Sequence, residues 1–155
     1  MTDGDPGRIV LGGHSMGGWV TAFTAAKDPA LAGAIFISAA DMGGSGAAPR
    51  EGVVTRMAGN MEALAGVTAE SMADEVIAHS DVWKMQLAAQ GLARLPLLVL
   101  TSDDGLAPVG DGLAKTAREK GNQRVTTQHE ATDHSWSDKR LTLESAVVAW
   151  LQQLK

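Results

Sequence analysis

The sequence predicts an α/β protein of three layers, with a short parallel sheet of about four strands between two layers of helices. Three observations predict it. Apolar or β-branched runs of strand length recur at Arg8–Gly12, Ala32–Ala39, Leu95–Thr101 and Arg124–His129. Helix-like stretches separate them, so consecutive strands need crossover connections, and such crossovers build a parallel sheet covered on both faces. The second run holds Ile35, Phe36 and Ile37 in succession, the pattern of a strand buried on both sides.

The elements follow in order. Arg8–Gly12 is a short strand around Ile9, Val10 and Leu11. Met16–Lys27 is a helix closed by Asp28-Pro29, because proline disfavours helix in the residue before it. Asp41–Arg50 is rich in Gly, Ala and Pro and reads as a loop. From Glu51 to Leu92 there is no strand signal, and helices are expected at Val53–Leu64, Ala69–His79 and Val82–Ala93. Thr68 is the N-cap of the second, with Glu70 in its first turn. In the third strand Pro96 is tolerable only at the start. Val109–Lys120 is a helix ended by Gly121 at the C′ position. The fourth strand is more polar and belongs nearer a sheet edge. In the last helix, Leu141–Leu154, the residues Leu143, Val147, Trp150, Leu151 and Leu154 share one face.

Bulk composition excludes several classes. The 155 residues suit one domain with a real core. Aromatics make up only 4% and tyrosine is absent, so Ala, Val, Leu and Ile must fill that core, with Met as filler. A net charge of −5 without a basic cluster argues against nucleic acid as a partner. The lack of cysteine excludes disulfides, thiolate metal sites and a cysteine nucleophile. No apolar run approaches the roughly 18 residues of a membrane span. Met1–Gly7 lacks the basic-then-apolar order of a signal peptide, which leads to the expectation of a cytoplasmic protein.

Chemistry enters at Gly13-His14-Ser15-Met16-Gly17, which lies between the first strand and the first helix. In that context Gly-x-Ser-x-Gly is a nucleophile elbow, a sharp turn that lifts the serine hydroxyl over the sheet end. Gly13 and Gly17 are expected to let the two arms of the turn pass close together. The helix N-terminus beyond it offers N–H groups to an oxyanion. A serine hydroxyl needs a base within reach and a third group to orient that base. Functional groups of an open parallel sheet collect on loops at the strands' carboxyl ends. The loop after the third strand carries Asp103 and Asp104, and the loop after the fourth carries His134. Either aspartate could serve as the acid.

These motifs together resemble the C-terminal half of an α/β-hydrolase, with a prolyl-oligopeptidase-like or esterase flavour. GGHSMGG resembles that family's elbow, LPLLVLTSDDGLAP its acid loop and TDHSW its histidine loop. The resemblance implies Ser15 as nucleophile, His134 as base and the Met16 backbone N–H as an oxyanion donor. Because the family's acid typically precedes a proline by four residues, it selects Asp104 (before Pro108) over Asp103. It implies hydrolysis of small carboxylic esters with no cofactor and no metal. Amide or peptide cleavage is the sister reading, and a catalytically idle half serving in assembly, or a fragment of a larger enzyme, is the alternative of another class. The segment at about 41–92 corresponds to a helical cap within the single truncated domain, residues 1–155.

His14 and Trp136 are the candidate substrate-binding side chains. The plainer readings are that His14 packs or bonds locally and that Trp136 covers the histidine loop. Asp103 reads as a loop-capping carboxylate and His79 as a surface residue. His129 and His134 lack an evident third metal ligand. Met57, Met61, Met72 and Met85 either fill a core or line an apolar pocket. The resemblance also implies that the strand Arg8–Gly12, internal in the eight-stranded family sheet, is here a bare edge. Such an edge invites pairing, so a homodimer through Arg8–Gly12 is expected, with Thr2–Gly7 of the partner subunit near Ser15.

Overall fold

A computed structural model of the chain describes residues 8–61 and 64–154. Four parallel strands form one sheet in the order β1 (Val10–His14), β2 (Gly33–Ile37), β3 (Leu97–Ser102) and β4 (Val125–Glu130). β3 is buried along its whole length, as a continuous apolar run in a central strand requires. β4 is an edge, in keeping with its polar sequence, and β1 is the other edge among the described residues. There Ile9 is 54% exposed. Thr2–Gly7, expected to reach a partner's site, lies outside the described residues.

β1 starts and ends two residues later than expected and takes in Gly13 and His14. Its ladder with β2 continues through Gly13↔Phe36 and His14↔Ile37, so the pairing carries the strand into the elbow. Helix α1 (Met16–Ala25) follows at once.

The described residues divide into two units, residues 8–40 with 88–154, and Asp41–Leu87. In the first, α5 (Ala89–Leu92), α6 (Ala107–Glu119) and α7 (Arg140–Leu151) join α1 and the sheet. Pro108 sits in the first turn of α6, where its missing N–H costs nothing. Gly121 takes the left-handed conformation (φ 96°) that ends that helix. One core cluster joins Ile35, Leu98, Leu100, Trp136 and Trp150, with Leu143, Val147 and Leu154 of the expected α7 face packed on it. Leu151 departs from that face and is 39% exposed, because it falls one residue beyond Trp150 at the rim of the stripe.

The second unit is helical, with α2 (Met42–Gly46), α3 (Arg50–Ala58) and α4 (Ala69–Ala78). Asp41–Arg50, expected to be a loop, holds α2 instead. Its glycines serve close packing: a Cβ on Gly43 would lie 2.3 Å from the Lys84 nitrogen, and one on Gly46 2.5 Å from the Val76 carbonyl oxygen. α3 starts three residues earlier than expected and stops at Gly59. Thr68 caps α4 as expected, its Oγ1 accepting the Ser71 N–H at 3.1 Å while Ser71 Oγ accepts the Thr68 N–H at 3.0 Å. The helix expected at Val82–Ala93 is instead a 3-10 turn, Met85–Ala88, followed by α5. Met42, Met57 and Met85 are buried, whereas Met61 and Met72 are partly exposed. Among the described residues, no helix is long and apolar enough to cross a membrane.

Two glycines test this packing. A Cβ on Gly33 would meet the Trp150 ring at 2.8 Å and the Pro96 carbonyl oxygen at 3.1 Å, whereas one on Gly52 in α3 meets nothing within 4 Å. Gly33→Ala should destabilise the protein by about 1–3 kcal/mol through overpacking. Gly52→Ala should stabilise it by about 0.5–1 kcal/mol by restricting the unfolded chain. Urea unfolding curves of the two variants should therefore shift in opposite directions.

Candidate active site

The elbow is held open by the strand beside it. Ser15 has φ 56° and ψ −123°, a costly conformation for a residue with a side chain. Its N–H donates to the Ile37 carbonyl at 3.0 Å, and its own carbonyl accepts the Ala40 N–H at 3.0 Å. The end of β2 and the segment just after it thus clamp the turn on both sides of Ser15. A Cβ on Gly13 would lie 2.1 Å from the Gly17 carbonyl oxygen, so the two arms do pass within backbone contact. The Cβ position of Gly17 is open, so only Gly13 must lack a side chain for that approach. Ser15 stands at the N-cap of α1 without spending its hydroxyl on a capping bond. The first helical residue, Met16, has no intrahelical acceptor for its N–H, and it is 45% exposed.

The loops after β3 and β4 meet at the same edge. His134 Nδ1 lies 2.7 Å from Asp104 Oδ2. A carboxylate only accepts, so Nδ1 carries the proton and Nε2 of the neutral ring keeps a lone pair. The His134 carbonyl accepts a bond from His14 Nε2 at 2.8 Å, and the two rings lie 4.5 Å apart between centroids. The residue before Ser15 therefore touches the imidazole directly. The loop carrying His134 is braced from within, with Asp133 Oδ1 accepting the Ser137 N–H at 2.9 Å.

Asp104 and Asp103 separate cleanly. The Asp104 side chain is 3% exposed, and its Oδ1 accepts the Leu106 N–H at 2.8 Å. Burial, the largest single influence, pushes the Asp104 carboxyl up. Hydrogen bonds from His134, the Leu106 N–H and Ser102, together with the charge of His134, outweigh it and hold the group below its ordinary value. Asp103 turns away to His129 Nε2 at 3.0 Å, and His129 Nδ1 lies 2.9 Å from Thr101 Oγ1. It is thus a histidine partner and not the expected loop cap. His79 is exposed, stacked on Trp83 and bonded to the Glu75 carbonyl. Among the described residues, no cluster of three or more His, Asp or Glu side chains could hold a metal ion.

Trp136, expected either to line a substrate pocket or to cover the loop, is seated in the core at 1% exposure. Its indole Nε1–H donates to Ser38 Oγ at 3.0 Å, and Ser38 Oγ lies 2.7 Å from Ser102 Oγ. Neither serine was singled out from sequence. The available signal was a serine just after the apolar run Ile35-Phe36-Ile37 and another that closes the strand Leu97–Ser102.

No protein-family model matches the chain, and no curated protein sequence is significantly similar to it. Solved structures do match. An acylaminoacyl peptidase from Pyrococcus horikoshii superposes with a TM-score of 0.66 at 16% identity, over 91% of this chain and 24% of that one. An esterase from a Rhodococcus species superposes with a TM-score of 0.51 at 20% identity, over 94% of this chain and 66% of that one. The chain thus spans about a quarter of the peptidase and just under two thirds of the esterase. These likenesses show an α/β-hydrolase-like fold.

The Asp104 environment sets a pH dependence of stability. Its folded value lies below the ordinary 3.8, so the ionised group stabilises the fold fully above that value. The contribution is lost as pH falls through the lower folded value. The advantage of the native protein over Asp104→Asn, read as a difference in urea midpoints, should be complete at pH 5 and shrink below 3.8.

Proposed function

We propose that the protein is a serine hydrolase that cleaves small carboxylic esters, with Ser15, His134 and Asp104 as its triad. The observation that carries this reading is the Asp104–His134 hydrogen bond, made by an imidazole that touches His14 next to the strained Ser15. In the proposed cycle, His134 Nε2 takes the Ser15 proton as Oγ adds to the ester carbonyl carbon. The tetrahedral oxyanion is bound by the Met16 N–H at the α1 terminus. His134 then returns the proton to the departing alcohol as the carbon–oxygen bond breaks. Water, deprotonated by the same nitrogen, releases the acid and regenerates Ser15. Asp104 stays ionised throughout and supports the imidazolium. His14 borders the imidazole and is the proposed substrate-facing side chain of the elbow.

The test is covalent labelling. A fluorophosphonate should add once to the protein by intact mass, and Ser15→Ala should abolish the adduct. Ser15→Ala or His134→Ala should lower hydrolysis of a nitrophenyl acetate by about 10⁴-fold or more, and Asp104→Asn by about 10⁴-fold. Absence of labelling, under conditions that modify an ordinary esterase, would establish the idle-half alternative. Amide cleavage is favoured by one observation, the higher TM-score of the peptidase. Parallel assays on an acylated amino-acid anilide and the matching ester would rank the two.

The exposed Ile9 beside the β1 edge supports a second proposal, pairing of two copies through Arg8–Gly12. Light scattering at micromolar concentration should give twice the chain mass, and a monomer would refute the pairing.

A further inference from the structure

β4 is an edge strand, so the loop that follows it and carries His134 has a neighbouring strand on one side only. Bonds to other elements hold that loop in place. The Asp103 N–H donates to the Thr132 carbonyl at 3.1 Å, and Asp104 Oδ2 accepts from His134 Nδ1. The Trp136 indole donates to Ser38 Oγ, and His14 Nε2 lies 2.8 Å from the His134 carbonyl oxygen. The last of these comes from the nucleophile turn itself, from the residue directly before Ser15. It joins positions 120 residues apart.

The strand puts His14 where it can do this. Side chains alternate along β1, so Val10, Gly12 and His14 share a face, and Val10 packs on the cluster that holds Trp136. The pairing with β2 runs through His14↔Ile37, and the Ile37 carbonyl also accepts the Ser15 N–H. One strand thus fixes the backbone of His14 and of the nucleophile together. A carbonyl oxygen only accepts, so His14 Nε2 carries a proton. His134 carries its own on Nδ1, toward Asp104. The two neutral imidazoles therefore hold opposite tautomers, with centroids 4.5 Å apart and planes at 45°. Asp104 grips His134 by its ring. His14 grips the main chain of the same residue while its own ring lies against the imidazole.

We propose that His14 is a positioning residue of the hydrolytic site, its Nε2–H tying the His134 carbonyl to the end of β1 and so setting the distance from Ser15 to the base that serves it. The kinetic consequence rests on the hydrolase reading above, while the tie itself does not. This role is separate from contact with an ester, because the Nε2–H is committed to the loop whatever the other edge of the ring meets. A side chain that touches substrate affects different acyl groups to different degrees. One that places the base slows every reaction of Ser15 alike, since each needs the same proton transfer in the same geometry.

Two variants separate donor from ring. His14→Phe keeps an aromatic ring beside His134 and loses the donor, whereas His14→Gln loses the ring and keeps an N–H near the position of Nε2. His14→Phe should lower kcat/KM by roughly 10-fold, the scale of one lost hydrogen bond, for nitrophenyl acetate and nitrophenyl butyrate alike. Fluorophosphonate labelling should slow by the same factor. His14→Gln should recover most of the loss with all three reagents. Unequal losses on the two esters, a His14→Phe protein as fast as the native one, or no recovery in His14→Gln would each overturn the positioning role. Should a variant not fold, the native protein decides. With isotope-labelled histidine and both rings neutral, His14 should be protonated on Nε2 and His134 on Nδ1, with magnetisation transfer between their ring protons. A His14 ring protonated on Nδ1, or rings out of mutual reach, would overturn the proposal as a whole. If the native protein neither hydrolyses esters nor takes a fluorophosphonate, the hydrolase reading falls and takes the kinetic role with it. The ring measurement then still decides the tie.

Discussion

The Ile37 carbonyl accepts the Ser15 N–H at 3.0 Å, and the Leu100 carbonyl accepts the Ser38 N–H at 2.8 Å. Each strand thus clamps the strained residue that ends the strand before it. The site depends on this stepwise pairing. The register His14↔Ile37, Ile37↔Leu100 and Leu100↔Gln128 brings all four strand ends out at one edge of the sheet. A slip of one residue between β2 and β3 would turn Ser38 from Ser102 to the opposite face. It would also detach Trp136 from its acceptor.

The two aspartates of the β3 loop show how position along a turn becomes chemical difference. Asp103 and Asp104 are adjacent in sequence, and each binds a histidine at hydrogen-bond distance. The Asp103–His129 pair is open to water, where such a pair contributes little. Asp104 is almost fully covered and accepts from His134 Nδ1 and the Leu106 N–H, so its charge acts through a medium of lower dielectric. The same residue type in the same loop therefore makes a surface contact in one case and a fixed negative centre in the other. The Leu106 N–H bond to Asp104 Oδ1 turns this carboxylate inward.

The sheet and the elbow were legible because their signals are local. Ile35-Phe36-Ile37 and Leu97–Leu100 are apolar runs whose length and flanking glycine or proline mark them as strands, and Gly13 to Gly17 lies between a strand and a helix. The choice of Asp104 over Asp103 needed the family spacing, since nothing in Asp103-Asp104 itself ranks them. Helix α2 was hidden because glycine has poor helix propensity, and only the Lys84 and Val76 backbones reveal why glycines are there. The role of Trp136 was hidden for a related reason. A tryptophan beside a loop histidine reads as a surface aromatic until Ser38, 98 residues away in sequence, supplies its acceptor. Contacts of that separation leave no periodicity to read.

The buried contacts of Trp136, Ser38 and Ser102 also bear on how the strain is sustained. Positive φ at Ser15, Ser38 and Trp136 costs on the order of 1–3 kcal/mol each. Two hydroxyls in the core would cost more if unpaired, yet no buried side-chain nitrogen or oxygen among the described residues lacks a partner. The hydrogen bonds offset part of the strain. The positive φ of Ser38 and Trp136 accompanies the bond that joins them, and that bond in turn satisfies Ser38. A chain of this kind is stable only when complete, because deletion of any member orphans the next in a medium that cannot hydrate it. Trp136, Ser38 and Ser102 are therefore better understood as one unit than as separate core positions.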